Sequence, residues 1–340
     1  MAETVISAKM PPHIDVTRAP LAYGDRALPR LNRELIDLNL LTRQRAVRSL
    51  CDYLHDPEHI AEALRQGIPE SLKGLLDDKD VTVRQKATEC LYIIAGYAVG
   101  REAFLDQNII IPLSKLFADK EDIVRKNAHK AMEMVSETMT GAEGIVEANL
   151  VPVLVEKLKT EHDEIKELIL DTLHFCMRVD TAHALRAEAM QVFTNHLQHG
   201  TPVIRAKAAR DIMDLSVPLD GKNKAVEVGS VASLVELLKD SDADVRASAA
   251  GAIMTITITT KGKYTALNCN AIEPLVKLVD DENSEVRANA LKAITCLAEA
   301  PEGRQELLNH IDQIRKRTND AIPAVVKHAN IAVKVITWKP

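Results

Sequence analysis

The sequence has few aromatic residues and no concentrated positive charge, and these shortages argue against nucleic-acid ligands. Aromatic residues make up 3% of the 340 residues, too few for the stacking platforms that bind single-stranded nucleic acids. The formal net charge is −6, and no run of Lys or Arg forms the basic patch that a polyanion requires. We therefore expect no nucleic-acid partner.

Cysteine pairs and long apolar runs are also missing. The five cysteines are scattered and form no Cys-x-x-Cys motif: Cys51, Cys90, Cys176, Cys269 and Cys296. This pattern is typical of small buried side chains in a reducing compartment rather than of a disulfide framework. No apolar run approaches the ~20 residues that span a membrane, and the first residues lack the pattern of a secretory signal. The sequence thus predicts an intracellular, soluble protein with no membrane partner.

What the sequence does contain is an internal repeat. The heptad DVRASAA (244–250) returns 41 residues later as EVRANAL (285–291). The third residue of this heptad, which we call the anchor, recurs along most of the chain at spacings of 41 or 39 residues: Arg43, Arg84, Arg125, Lys166, Arg205, Arg246, Arg287 and Val326. A fixed period of about 40 residues is the sequence signature of a helical repeat array.

The residues around each anchor predict three helices in every repeat. In the repeat of Arg246, Ala249 and Ile253 follow at three and seven residues and form one helical stripe. A second apolar stretch precedes each anchor helix, as at 234–238, and a Gly that we expect to end the long helix or its loop precedes a shorter third helix. The predicted fold is an all-α, right-handed α-solenoid of about eight armadillo/HEAT-like repeats over residues 28–340, after an irregular N-terminal arm at 1–27.

An Asp stands six residues before the anchor in five repeats. The pairs are Asp37/Arg43, Asp78/Arg84, Asp119/Arg125, Asp240/Arg246 and Asp281/Arg287. One interpretation is a ladder of charge-assisted hydrogen bonds, in which each Asp lies beside an Arg of its own or the next repeat. The other is that the arginines bind an anionic partner. The matching period of the Asp favours the ladder.

The sequence contains no complete motif for catalysis, cofactor binding or metal binding. No phosphate-binding loop, dinucleotide fingerprint or nucleophile elbow is present. Asp240-x-Asp242-x-Asp244 begins like a calcium loop, but Val245 stands where that loop needs Gly, so a capped turn is favoured. His174 and Cys176 are two residues apart and point to different helix faces. We predict a non-enzymatic protein without cofactor or metal.

One row of side chains on the long helices is a candidate partner-binding groove. It lies nine residues after each anchor: Asp52, Ile93, Met134, Phe175, Asp214, Thr255 and Cys296. Armadillo nuclear import adaptors carry Asn and Trp ladders on these helices, and this row has neither, which disfavours a carrier of basic peptides. The apolar middle of the row could instead hold an amphipathic helix of a partner, or it could be core.

Several stretches outside the repeat pattern resemble one family. They are PPHIDVTRAPLAYGDRALPRLNRELIDLNLLTRQRAVRSLCDYLHDPE (11–58), PLDGKN (218–223), GKYTALNCNAIEPL (262–275), AEAPEGR (298–304) and the ending WKP (338–340). Together they resemble the radial spoke head 14 (rhabdoid tumour deletion region) family of armadillo-repeat axonemal proteins.

The resemblance implies a structural subunit of the radial spoke stalk or neck in motile cilia and flagella. The implied partners are other spoke subunits: stalk and head proteins, a DnaJ-type co-chaperone homologue, and nucleoside-diphosphate-kinase-like and docking-domain proteins. The implied localisation is the cytoplasmic cytoskeleton of the cilium or flagellum, the axoneme. The alternative hypothesis is a soluble armadillo-type adaptor that binds peptides in transport or signalling.

Overall fold

The computed structural model describes residues 27–339, and over this range it contains helices and no strand. The predicted arm at 1–27 lies outside the described residues except for Ala27. Contacts divide the chain into two compact units, one that ends at Ala148 and one that begins at Asn149. The prediction of an all-helical repeat solenoid is confirmed.

The first unit begins with the last two helices of one repeat and continues with complete helix triplets. Its helices are α1 (Ala27–Leu35), α2 (Leu40–Leu54), α3 (Pro57–Arg65), α4 (Ile68–Leu75), α5 (Val81–Ala95), α6 (Ala98–Asp106), α7 (Ile110–Lys115), α8 (Asp122–Ser136) and α9 (Met139–Glu147). The long helices α2, α5 and α8 pack side by side in this order.

The second unit repeats the same order of short, second and long helices. Its helices are α10 (Val151–Leu158), α11 (Asp163–Val179), α12 (Ala182–Arg186), α13 (Ala189–His196), α14 (Pro202–Leu215), α15 (Leu219–Glu227), α16 (Ser230–Leu237), α17 (Ala243–Ile256), α18 (Thr260–Asn268), α19 (Ile272–Leu278), α20 (Ser284–Leu297), α21 (Pro301–Leu308), α22 (Ile311–Lys316) and α23 (Pro323–Ile336). The long helices α11, α14, α17, α20 and α23 pack successively.

Each long helix begins three residues before its anchor, and in α2, α5, α17 and α20 an Asn or Asp of the preceding turn caps the helix. In α17, the Asp242 side chain accepts hydrogen bonds from the N–H groups of Asp244 and Val245. The acidic triplet that resembles a calcium loop is therefore a capped turn. Ala249 and Ile253 are fully buried, as their spacing predicts, since the small residue lets the neighbouring helix approach.

The recurring glycines lie inside the short helices, and the prediction that they end the long helix or its loop is wrong. Each is the third residue of its short helix: Gly100, Gly141, Gly221, Gly262 and Gly303. A Cβ at Gly221 would lie 1.7 Å from the carbonyl oxygen of Leu215, the last residue of the preceding long helix. Glycine is therefore required here for close approach of the short helix to the long one.

Candidate functional site

Five arginines bind aspartates of the following repeat and so form a ladder within each unit. In the first unit, Nε of Arg43 lies 2.8 Å from Asp78, and Nε of Arg84 lies 2.7 Å from Asp119. In the second unit the pairs and their closest distances are Arg205–Asp240 at 2.9 Å, Arg246–Asp281 at 2.8 Å and Arg287–Asp320 at 2.9 Å. The partner aspartate is thus the one in the next repeat.

The same arginines also bind the backbone of their own repeat. Nη1 of Arg246 donates to the carbonyl oxygens of Asp240 and Ser241 at 2.8 and 3.0 Å. The aspartate carboxylates accept backbone N–H groups in addition, as Asp240 does from Asp242 at 2.9 Å. Each ladder step therefore ties one turn to its own helix and to the next repeat. This is the geometry that the ladder interpretation requires, and its contribution to stability stays a prediction.

The ladder hydrogen bonds change how readily the aspartates accept a proton. Burial raises the pKa of Asp240, but hydrogen bonds from Arg205 and from the N–H of Asp242 outweigh burial and bring the pKa below its ordinary value. The pKa of Asp119 is lowered in the same way, with Arg84 as its partner. These carboxylates are therefore charged at neutral pH and stabilised in that state.

Some predicted ladder residues have other contacts. The Asp37 carboxylate accepts the N–H of Asn39, and Arg125 binds Asp122 in its own helix at 2.7 Å as well as the carbonyl of Asp119. Two ladder residues were missing from the predicted pairs, Arg205 and Asp320. A signal for Asp320 existed, because it stands six residues before the anchor position Val326.

The candidate groove row lies at intermediate depth on the long helices. In the first unit, Asp52 is exposed, Ile93 is 8% exposed and Met134 is half-buried. In the second unit, Thr255 is 8% exposed, and three members are half-buried: Phe175, Asp214 and Cys296. Whether this row receives a partner or completes the core stays a prediction.

Polar contacts join neighbouring long helices beside this row. Asn127 Nδ2 donates to the carbonyl of Gln85 at 3.2 Å, and Asn289 donates to that of Ala247 at 3.1 Å. Both asparagines stand two residues after an anchor and reach the residue after the previous anchor. They bind the scaffold itself, unlike asparagines of a ladder that grips an extended peptide.

A denser polar cluster joins α11 to α14. Asp171 on α11 binds Lys207 at 2.6 Å and Arg210 at 3.0 Å, both on α14. One turn further along, His174 Nδ1 lies 2.6 Å from Asp214 Oδ2. Sequence spacing does not reveal this cluster, because its members come from helices about 40 residues apart.

Asp211 is the buried member of this cluster. Its side chain is fully buried, and Oδ1 accepts hydrogen bonds from Arg210 at 3.0 and 3.1 Å. Oδ2 has no hydrogen-bond partner. Burial raises the pKa of Asp211 well above its ordinary value, although the adjacent guanidinium opposes this. One ligand-type atom each of His174, Asp211 and Asp214 lies within 4.8 Å of the others.

In the second unit, exposed apolar and aromatic side chains lie near the ends of the long helices and in the short helices that follow them. Val217 and Leu219 flank the start of α15 and are 67% and 61% exposed, and Ile258 stands at the equivalent place before α18. Trp338 follows α23, is 55% exposed and lies beneath the Arg304 guanidinium, 5.1 Å from the ring centroid. We call Val217, Leu219, Ile258, Tyr264 and Trp338 the short-helix edge.

Among residues 27–339, no helix combines the length and the apolar character needed to cross a bilayer.

Comparisons with known proteins agree with the repeat architecture. Residues 113–328 match the family model described as sister chromatid cohesion protein PDS5, and residues 41–184 match that of non-SMC mitotic condensation complex subunit 1. An engineered protein of the Northeast Structural Genomics Consortium is similar in structure, with a TM-score of 0.86 at 23% identity over 92% of this chain and 79% of that chain. A designed armadillo repeat protein, 22% identical, covers 78% of this chain and 99% of its own with a TM-score of 0.48. At 23% identity, the likeness to the engineered protein indicates a shared fold only.

Proposed function

Since the chain belongs to the helical-repeat family described as sister chromatid cohesion protein PDS5, which its residues 113–328 match, we infer that it is a scaffold that binds other proteins, and we propose the axonemal radial spoke as its assembly. In this proposal the chain is a non-enzymatic subunit of the spoke stalk or neck in motile cilia and flagella. It holds neighbouring subunits in register and so supports the regulation of dynein-driven motility.

The observation that carries the proposal is that three of the family-like stretches place exposed side chains on the short-helix edge: Leu219, Tyr264 and Trp338. PLDGKN (218–223) begins α15, GKYTALNCNAIEPL (262–275) runs through α18, and AEAPEGR (298–304) begins α21. AEAPEGR borders this edge, since Glu302 accepts a hydrogen bond from the Tyr264 hydroxyl and the Arg304 guanidinium lies over the Trp338 ring. Residues that define the solenoid core would recur in any such repeat protein, whereas exposed stretches outside that pattern are free to follow a partner.

The short-helix edge has the composition of a protein-binding surface. The exposed Ile258 lies beside a charged pair, because Lys263 binds Glu299 at 2.5 Å and donates to the Ile258 carbonyl at 3.5 Å. Tyr264 adds an aromatic ring whose hydroxyl donates to Glu302 at 3.1 Å. An apolar centre with a polar rim that contains Trp and Tyr is typical of sites where proteins dock.

The experiment compares native and edge-substituted chains in motile axonemes. Tagged chains are expressed in ciliated cells that lack the endogenous protein, and detergent-stripped axonemes are extracted stepwise with salt and fractionated by size. We expect the native chain to stay with the axoneme and to elute with radial spoke subunits. The triple variant Leu219→Ser, Tyr264→Ser, Trp338→Ser is expected to appear in the detergent-soluble fraction. Val153→Ser, at an exposed valine of α10, is the matched control.

Other outcomes identify other functions. If the native chain washes out with detergent as a free protein, the spoke proposal is wrong and the soluble adaptor, with the groove row as its site, is favoured. The two matching family models carry the names of chromosome proteins, so recovery of the native chain with chromatin instead of axonemes would also overturn the proposal.

A further inference from the structure

Asp211 occupies a position where the other repeats place a small or apolar side chain. This position lies six residues after each anchor and is buried throughout: Ser49, Cys90, Ala131, Thr172, Ala252, Ala293 and Ala332. A carboxylate here is costly to bury, and only its Oδ1 is compensated, by Arg210. Packing between α11 and α14 therefore does not account for the second oxygen.

One carboxylate oxygen of Asp211 belongs to a cluster of three potential ligand atoms, the other two of which come from His174 and Asp214. Asp211 is the fully buried member of this cluster, and the side chains of His174 and Asp214 are 20% and 15% exposed. The three ligand atoms come from two helices that pack directly on each other. The cluster is thus buried at Asp211 and partly exposed at His174 and Asp214.

The charge of the surroundings suits a cation. The cluster contains three carboxylates and two basic side chains. The carboxylates are those of Asp171, Asp211 and Asp214, and the basic side chains are those of Lys207 and Arg210. When the three carboxylates are ionised, one negative charge remains unbalanced. Arg210 divides its donors between Asp171 and Asp211 and leaves Oδ2 of Asp211 free.

From this geometry we propose that His174, Asp211 and Asp214 bind a divalent transition-metal ion, with Zn²⁺ as the best match. One imidazole nitrogen and two carboxylate oxygens leave a fourth tetrahedral position for water or a partner's ligand. Mg²⁺ and Ca²⁺ prefer oxygen ligands alone, so the imidazole favours Zn²⁺.

Only small side-chain movements are needed to form the site. Ligand atoms of tetrahedral zinc, each at about 2.0 Å from the metal, are about 3.3 Å apart. His174 Nδ1 and Asp214 Oδ2, now hydrogen-bonded at 2.6 Å, would open slightly as the ion replaces their shared proton. The third atom would move inward from within 4.8 Å, while α11 and α14 stay in place.

The test is a Zn²⁺ titration of the full chain after dialysis against a chelator, in competition with a chromophoric indicator. We expect one equivalent to bind. His174→Ala and Asp211→Asn should each weaken binding at least about tenfold, since each removes a ligand. Asp211→Asn retains an acceptor for the adjacent Arg210, and circular dichroism checks that this variant is folded.

His199→Ala is the matched control, because His199 Nε2 makes a similar imidazole–carboxylate contact with Asp163, 3.3 Å apart, in the same unit. The His199→Ala variant should change the affinity for Zn²⁺ by less than about twofold, which is well below the loss of about tenfold expected when a ligand is removed. Co²⁺ in place of Zn²⁺ should give the visible absorption of a tetrahedral site in the native chain and not in His174→Ala. Absence of stoichiometric binding, or equal loss in His174→Ala and His199→Ala, would overturn the proposal.

Discussion

At the scale of single residues, each ladder arginine satisfies two sets of acceptors at once. Arg246 holds the Asp281 carboxylate of the next repeat through Nε and two carbonyls of its own turn through Nη1. Only the planar, forked guanidinium provides donors in both directions. The side chain of Asp281 is nearly buried and also accepts a hydrogen bond from the N–H of Asn283. These contacts favour a structural clasp over a free cation for an anionic partner, and the ladder's role in stability stays a prediction.

We expect Arg246→Met to lower the free energy of unfolding by about 2–4 kcal/mol, because it leaves a buried carboxylate and two carbonyls without their donor. Urea unfolding followed by circular dichroism measures the loss. Arg315→Met is the control, since Arg315 is 54% exposed and contacts Asp312 at 3.5 Å, a type of pair that contributes about 0–1 kcal/mol. A loss no greater for Arg246→Met than for this control would contradict the ladder.

The double variant Arg246→Glu, Asp281→Arg tests the same clasp from both sides. Exchanging the charges restores attraction between the two side chains, but the glutamate introduced at position 246 has no N–H to donate to the carbonyls of Asp240 and Ser241. Rescue of the free energy of unfolding, measured in urea against Arg246→Glu alone, should therefore be partial. Neither repeat spacing nor charge pattern could predict this limit, because the backbone acceptors are invisible in the sequence.

At the scale of helices, the bend between a long and a short helix depends on glycine. We expect Gly221→Ala to lower the free energy of unfolding by about 1–3 kcal/mol, since its Cβ would overlap the Leu215 carbonyl and push α15 away from α14. Gly74, which is exposed in α4 and has no atom within 4 Å of the place a Cβ would take, is the control. Gly74→Ala should raise stability by about 0.5–1 kcal/mol, and destabilisation by both changes would argue against the close-approach explanation.

The sequence predicted the order and the register of the helices better than their junctions. The repeat period and the apolar stripe after each anchor predicted that every anchor lies in the same turn of its long helix, because buried positions recur with the helix period. The sequence also shows the spacing of the recurring glycines, but not whether each glycine ends the long helix or lies in the short helix that follows. The sequence also left open whether an Asp binds its own or the next repeat, since only packing of neighbouring helices brings Arg246 to Asp281.

The polar cluster was missed for a related reason. His174 was weighed against Cys176, its neighbour in sequence, whereas its structural neighbours are Asp211 and Asp214 on the next long helix. One clue was available: Asp211 is the acidic residue in a column of small side chains. An exception inside a repeat is informative because packing predicts a different residue there.

At the scale of the whole molecule, we expect the ladder to make stability depend on pH. Burial raises the pKa of Asp320, but hydrogen bonds from Arg287, the N–H of Ile322 and Arg317 outweigh it and lower the pKa, as at Asp119 and Asp240. A carboxyl with a lowered folded-state pKa binds fewer protons when folded than when unfolded. Its stabilising contribution is complete above the unfolded pKa of about 3.9 and is lost as the pH falls through the folded value.

We therefore expect the free energy of unfolding to decrease as the pH is lowered from about 5 through 4 to 3. The raised pKa of Asp211 acts in the opposite direction, because a buried carboxyl is relieved by protonation, so the titration is best measured in the Asp211→Asn background. Adding Asp240→Asn should make the acid dependence less steep, since one depressed carboxyl is removed. Asp312→Asn, whose side chain is 89% exposed, should leave the slope unchanged. An acid dependence unaltered by Asp240→Asn would show that the ladder carboxylates do not couple protonation to folding.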